Sequence, residues 1–365
     1  MKEKIIEIAN KMGIKSIGFT NVLNYGYLEE FFLKRKYNNF DNEFEEQDLK
    51  KRLYVNNIFP ECKSIISVGI PYAMGYKKPR TNDNGLISVV SFGEDYHNYI
   101  KRILNDLVIE IFKYNKFKYL ICVDTSPLID REICKNSNIG SFGKNSLLIN
   151  DSYGSFMYLG YILTDLDINA ENNIKHIDIC KDCNICINVC PNKAILDEGG
   201  LNTKKCVSYL TQTKTYIPIE YRKNMGNAIY GCDICQLACP KNKAVIEMKS
   251  TNDYSKLVID IRELMNMSNS DFLKKYGNLS GSWRGKNIWK RNAIITIGNL
   301  KINSMFDLVK NELNNSSDMI KIYSAWSLMA LNRHKTTDIL NSKLKYENDI
   351  VKGEYQKLLM GDLLC

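Results

Sequence analysis

The sequence predicts a protein of three parts in order: an α/β domain, a compact cysteine-rich module and an all-α array. Three observations carry this reading. Two apolar runs suited to buried strands, "KSIISVGIPY" (63–72) and "FKYLICVDT" (117–125), flank a long helical pattern. Eight of the twelve cysteines fall between positions 180 and 239. Two helical patterns about a repeat apart, "NIWKRNAIITIGNL" (287–300) and "MIKIYSAWSLMALN" (319–332), occupy the final third.

The chain begins "MKEKIIEIANKMGIKSIGF", where Ile5, Ile6, Ala9 and Met12 recur at helical spacing among charges. No apolar run there is long enough for a signal sequence or a membrane span, so a cytoplasmic protein without a membrane role is expected. A hydrophobic fraction of 44% with 25% charged residues is that of an ordinary globular chain and excludes disordered and fibrous classes. Between the two strands, "EDYHNYIKRILNDLVIEIFKYN" places Tyr96, Ile100, Ile103, Leu104, Leu107 and Ile111 on one helical face. "SLLINDSYGSFMYLGYILT" (146–164) reads as a hairpin turning at "NDSYG". A partly antiparallel sheet follows. No G-x-G-x-x-G follows a strand, so a Rossmann-type nicotinamide or flavin site has no support.

In a reducing compartment twelve cysteines do not form a disulfide framework. Cys62, Cys122, Cys134 and Cys365 are scattered and read as small core residues. The run "CKDCNICINVCPNKAI" (180–195) has the C-x2-C-x2-C-x3-C-P spacing of bacterial ferredoxins, whose fourth cysteine serves the other cluster. "CDICQLACP" repeats its second half, and Cys206 is available for the missing position. Crossed ligation then gives one [4Fe–4S] cluster on Cys180, Cys183, Cys186 and Cys239, and another on Cys190, Cys206, Cys232 and Cys235. The alternative is a pair of structural zinc sites, which usually take two close cysteine pairs apiece. Two neighbouring clusters imply single-electron transfer in series.

"VDTSPLIDREICKNSNIGSFGKNSLLIN", the spacing of the eight cysteines, "CVSYLTQTK" and "GNAIYGCDICQLACP" together resemble the epoxyqueuosine reductase family, from about Arg52 to the C-terminal repeats. The resemblance implies a cobalamin-binding α/β domain akin to reductive dehalogenases (1–168), a ferredoxin-like domain with two [4Fe–4S] clusters (169–250) and HEAT-like helical repeats (251–365). It implies two-electron reductive removal of the epoxide oxygen from a modified base at the tRNA wobble position. The partners implied are the anticodon stem-loop of a queuosine-type tRNA and an external electron donor such as flavodoxin or ferredoxin. An acid must protonate the departing oxygen, and the family match assigns this to Asp124. A carboxyl facing an apolar corrin is expected to have its pKa raised; the plain structural alternative makes Asp124 or Thr125 the cap of a helix starting near Pro127. The resemblance also assigns Arg52, His97, Asp124 and Ser208 to cobalamin, and Lys144 and Lys214 to RNA. The chain departs from the family at "CPKN", where a tryptophan is common.

Residues 241–365 hold 20 Lys and Arg against 13 Asp and Glu, an excess of seven out of a formal net charge of +9. Lys274, Lys275, Arg284, Lys286, Lys290 and Arg291 gather around "GSWRGKNIWKRN". Such density attracts a phosphate backbone, and Trp283 and Trp289 offer stacking faces, so Lys274, Arg284, Lys286 and Lys290 join Lys214 as candidate tRNA contacts. A small-molecule reductive dehalogenase would share the cofactors but has no use for a basic repeat domain, and it typically begins with a twin-arginine signal. A bare electron carrier or RNA-binding adaptor needs no domain of about 170 residues before its clusters.

Overall fold

The computed structural model describes residues 1–170 and 178–361; Cys365 lies outside the described residues. Its strands are β1 (Ile17–Asn21), β2 (Ser64–Pro71), β3 (Gly85–Ile87), β4 (Tyr119–Cys122), β5 (Ser141–Phe142), β6 (Leu148–Ile149), β7 (Met157–Thr164), β8 (Ala228–Tyr230) and β9 (Val258–Ile259). The chain weaves through two compact units. The first takes Met1–Tyr76, Glu94–Lys204 and Ile234–Asn252, and the second takes Lys77–Gly93, Lys205–Asp233 and the chain from Asp253 onward. Compactness thus divides the chain differently from the three sequence ranges.

In the first unit a sheet of order β1-β2-β7-β4 is antiparallel throughout rather than in part. β7 pairs with β2 along its full length, from Ser64 opposite Thr164 to Pro71 opposite Met157. β2 and β4 point the same way, as a strand-helix-strand reading requires, but β7 lies between them. β2 and β7 are buried on both faces, which explains their continuous apolar runs. β4 instead closes the edge, and Tyr119 and Leu120 remain exposed. Helix Tyr96–Phe112 buries Ile100, Leu104, Leu107, Val108 and Ile111, close to the face read from the sequence. A Cβ at Gly160 would stand 2.6 Å from Ile100 Cγ2, so glycine there lets this helix approach β7.

The expected hairpin over 146–164 does not form. Asn150 and Gly154 exchange main-chain hydrogen bonds of 2.8 and 2.9 Å at the turn, but the arms separate: β6 pairs with β5, whereas β7 is claimed by β2 and β4. Both edges of β7 are therefore occupied by longer partners.

The second unit combines a small sheet of order β8-β3-β9 with a helical array. Helices Lys286–Asn299 and Asp318–Leu331 fall where the sequence placed them, but they are not amphipathic. Every residue from Ile288 to Gly298 is buried, because these two helices form the centre of the array. They approach closely at Gly298, where a Cβ would stand 2.9 Å from the Trp326 ring and 3.1 Å from Ser327 Cα. Among the described residues no helix is long and apolar enough to cross a membrane.

Candidate active site and cluster cysteines

The loop leaving β4 carries Asp124 in the left-handed backbone region, φ 48°, with the Thr125 N–H donating to the Val123 carbonyl at 2.5 Å across it. Few residue types other than glycine, asparagine and aspartate accept this conformation readily. The Asp124 carboxylate Oδ2 accepts a hydrogen bond from the Tyr96 hydroxyl at 2.7 Å and lies 3.3 Å from His97 Nε2. Both partners open helix Tyr96–Phe112. Its cap, Asp95, accepts the His97 N–H at 2.9 Å and also holds His97 Nδ1 at 2.7 Å. His97 thus lies between two carboxylates. Burial works against its charge, but the hydrogen bonds and charges of Asp124 and Asp95 prevail and raise its pKa above the ordinary 6.5.

The acidity of Asp124 runs opposite to the sequence expectation. Burial is the largest single influence and favours the neutral acid. It is outweighed by the hydrogen bonds from His97 and Tyr96 and by the charges of His97 and Arg131, so the pKa is lowered. Asp124 is also no helix cap, since the next helix begins only at Asp130 and has no side-chain cap. The carboxylate is crowded by surrounding protein, yet 63% of its side chain remains exposed, so a substrate can reach it.

Beside it stands a stack of aromatic rings: Tyr96 on Tyr158 at 5.1 Å and 7°, and Tyr158 on Tyr72 at 4.5 Å and 23°. Gln236, next in sequence to Cys235, donates to the Tyr72 hydroxyl at 3.3 Å. The "CPKN" departure is absorbed locally. Asn242 is fully buried, accepts the Ser155 N–H at 2.6 Å and donates to the Gln236 carbonyl at 2.7 Å.

Cys186 and Cys239 each lie near enough to Cys180 and Cys183 to feel their charges. The Cys186 thiol is pushed up by burial and by the charges of Cys180, Cys239 and Cys183; Cys239 is pushed up by burial and by Cys180 and Cys183. A group of thiols that resist joint ionisation favours a shared cation. Cys180 Sγ accepts the Lys144 main-chain N–H at 3.4 Å, and Cys190 Sγ accepts that of Ala194 at 3.2 Å. Among the described residues no three His, Cys, Asp or Glu side chains are arranged to hold a single metal ion. A cubane spreads its four thiolates over four irons and so needs no such convergence. Cys190 and Cys235 belong to the first unit, Cys206 and Cys232 to the second. Cys62, Cys122 and Cys134 are buried core thiols, the first two pushed up by burial to about 11 and about 12.

Arg52 is engaged elsewhere in the first unit. Its guanidinium pairs with Glu45 at 3.0 Å and lies over the Phe32 ring at 4.2 Å. Ser208 lies on the short helix Val207–Leu210 of the second unit, and its carbonyl accepts the Thr211 hydroxyl. The Lys144 ammonium donates to Asn184 in the first cysteine run.

In the second unit Lys214, Arg284 and Lys286 line an open groove of about 590 Å³ together with Phe272, Ile288 and Met319. Lys274 is exposed on an adjoining groove with Lys275, Glu263 and Asp271. Trp283 is 55% exposed. Two expectations fail here. Lys290 is buried in an ion pair with Glu312 at 2.6 Å, so it is no phosphate contact; freeing it would strand Glu312, a loss of about 3–5 kcal/mol. Trp289 is fully buried against Phe272 and Tyr276, with its indole N–H on the Gly281 carbonyl at 2.8 Å. Exposing it would cost about 3–5 kcal/mol, more than the roughly 1–3 kcal/mol of one base stack. Arg291 is likewise internal, its fork on the carbonyls of Leu210 and Thr213.

Residues 52–125 match the family described as "Epoxyqueuosine reductase QueG, DUF1730", and residues 179–242 match the "4Fe-4S double cluster binding domain". An epoxyqueuosine reductase of Lactococcus garvieae is 36% identical over 349 residues, covering 92% of this chain and 97% of its own. The chain belongs to the epoxyqueuosine reductase family. It is therefore an oxidoreductase. The Bacillus subtilis epoxyqueuosine reductase is 31% identical over 361 residues, covering 96% and 92% of the two chains.

Solved epoxyqueuosine reductases share the fold. One, crystallised with a tRNA-Tyr epoxyqueuosine-modified stem loop, is 30% identical with a TM-score of 0.91 over 98% of both chains. Another, from Bacillus subtilis, has an aspartate-bearing catalytic loop swung out of its active site; it is 30% identical with a TM-score of 0.89 over 98% of both chains. The structure brings His97, assigned from the epoxyqueuosine reductase resemblance, to Asp124, and sets Cys239, assigned from the ferredoxin spacing, near the first cysteine run. The sequence reading missed Asp95, Tyr96, Asp130 and Tyr161. Asp95 ahead of an apolar helical pattern was a legible cap signal; the others have no local signature.

Proposed function

We propose that the chain reduces epoxyqueuosine to queuosine at the wobble position of tRNA. The observation that carries this reading is an exposed carboxylate, Asp124, held by Tyr96 and His97 on a loop of a chain that aligns nearly end to end with an enzyme crystallised on the modified stem loop. The reaction takes two electrons and two protons: both C–O bonds of the epoxide break, a C=C bond forms, and the oxygen leaves as water.

The clusters fit Cys180, Cys183, Cys186 and Cys239, and Cys190, Cys206, Cys232 and Cys235, with flavodoxin or ferredoxin as the external donor. The residues present also fit cobalamin, because Tyr72, Tyr158 and Tyr96 form a row of stacked rings that ends in the polar pair of His97 and Asp124. His97 and Asp124, at the end of this row, are the residues of the first unit that would hold it. When bound, cobalamin supplies a cobalt centre that accepts electrons singly and delivers reducing equivalents to the epoxide. Because the pKa of Asp124 is lowered and that of His97 raised, a proton shared by the pair is held on His97 Nε2. It crosses to Asp124 Oδ2 as the substrate oxygen becomes basic, so Asp124 is the donor to substrate and His97 its source.

Lys144, Lys214, Lys274, Arg284 and Lys286 remain the phosphate contacts, and a tRNA substrate places the protein in the cytoplasm. Reversing charge at Lys214, Lys274 and Arg284 should weaken stem-loop binding most at low salt and flatten its salt dependence, because counterion release is lost. Unchanged affinity and slope would remove this surface from the tRNA interface.

The function itself is tested by anaerobic reconstitution and nucleoside analysis of epoxyqueuosine-containing tRNA, with and without cobalamin. Queuosine should appear only with cobalamin and a reductant. Conversion that does not depend on cobalamin would defeat the cofactor assignment, and no conversion under any condition would defeat the function.

A further inference from the structure

Behind Asp124 lies a second carboxylate that the reaction does not use. Asp130 opens helix Asp130–Asn136, and its Oδ1 accepts the hydroxyl of Tyr161, a fully buried residue of β7, at 2.7 Å. The Tyr161 hydroxyl also lies 3.1 Å from Ser126 Oγ, which accepts the Leu128 N–H at 3.2 Å. The loop from Asp124 to Leu128 is therefore tied to the sheet through Asp130 and Tyr161.

We propose that Asp130 is the positioning residue of the catalytic loop: its carboxylate grips the Tyr161 hydroxyl, which lies against Ser126 two residues past Asp124, and so holds the loop in the course that aims the left-handed Asp124 at Tyr96 and His97. The proposal rests on the reading of Asp124 as proton donor. An αL conformation in a non-glycine residue persists only where its surroundings over-determine it, and here the residues that follow Asp124 are held by the Ser126 contacts with Tyr161 and Leu128. The Bacillus subtilis enzyme has been crystallised with an aspartate-bearing catalytic loop swung out of its active site.

The tether is sensitive to pH. Burial pushes the Asp130 carboxyl up to about 7, and the Asp124 charge adds to this; the Tyr161 hydroxyl and Arg131 oppose it. The remaining titratable groups that feel its charge are the thiols of Cys122 and Cys134. Protonation turns one acceptor oxygen into a donor, so the grip weakens as pH falls through about 7.

The test is hydrogen exchange of the chain without its substrate, together with turnover of the reconstituted enzyme. Asp130→Asn and Asp130→Ala should speed exchange at residues 124–128 and lower turnover on the order of 10²-fold with KM for the stem loop unchanged, the scale of a misplaced catalytic group. Asp130→Glu should recover much of both, and the acid limb near pH 7 in the wild-type turnover profile should vanish in Asp130→Asn. Tyr161→Phe, which removes only the fixing hydroxyl, should give a smaller change in the same direction and serves if the Asp130 variants fold poorly. Unchanged exchange at 124–128 would overturn the proposal. So would faster exchange throughout β2 and β7, which marks a merely structural residue. If exchange responds but Asp124→Asn retains full turnover, the tether stands and the role of Asp124 falls.

Discussion

Asp124→Asn is expected to lower turnover by about 10²-fold or more, the usual scale for losing a general acid, while the chain folds and binds its stem loop normally. Asparagine tolerates the left-handed backbone at this position and can still accept the Tyr96 hydroxyl through its amide oxygen. It cannot pass on a proton. The same substitution removes a negative partner from His97, whose raised pKa should fall; with only three histidines in the chain, its imidazole resonance can be followed directly by NMR. The pair also sets a pH window for stability. Asp124, lowered in the fold, contributes above the unfolded carboxyl pKa of about 4 and loses its contribution as pH falls through the folded value. His97, raised in the fold, contributes fully below about 6.5 and loses its contribution as pH rises through its folded value. Turnover unchanged by Asp124→Asn would move the donor elsewhere.

Replacing Cys180 and Cys239 together should remove one cluster and abolish epoxide reduction. The wild-type chain should hold about eight iron and eight sulfide after anaerobic reconstitution, and the double Ala variant about four of each, because crossed ligation puts both residues on one cubane. Ligation within each run instead would put them on different clusters and leave almost no bound iron. The mutual influence of Cys239 with Cys180, Cys183 and Cys186 favours the first outcome. Stoichiometric zinc in place of iron would defeat the cluster assignment.

The sequence by itself determined the elements whose signal is local. The spacing of the eight cysteines states a ligand set, because thiolate chemistry and ferredoxin spacing leave few other uses for them. Helix Tyr96–Phe112 and strand β2 were legible because a 3.6-residue period and a continuous apolar run each report a buried surface. Tertiary structure decided what covers those surfaces and what meets across them. β7 could not be read as the strand between β2 and β4, since pairing partners distant in sequence leave no mark on either run. Lys290 and Trp289 looked like a basic, aromatic face until the fold turned them inward onto Glu312 and Phe272. The acidity of Asp124 shows the same limit. Burial alone raises a carboxyl pKa, and that is all its place beside a strand could suggest; His97 and Tyr96, brought to it by the packing of one helix beside the sheet, together with Arg131, reverse the sign.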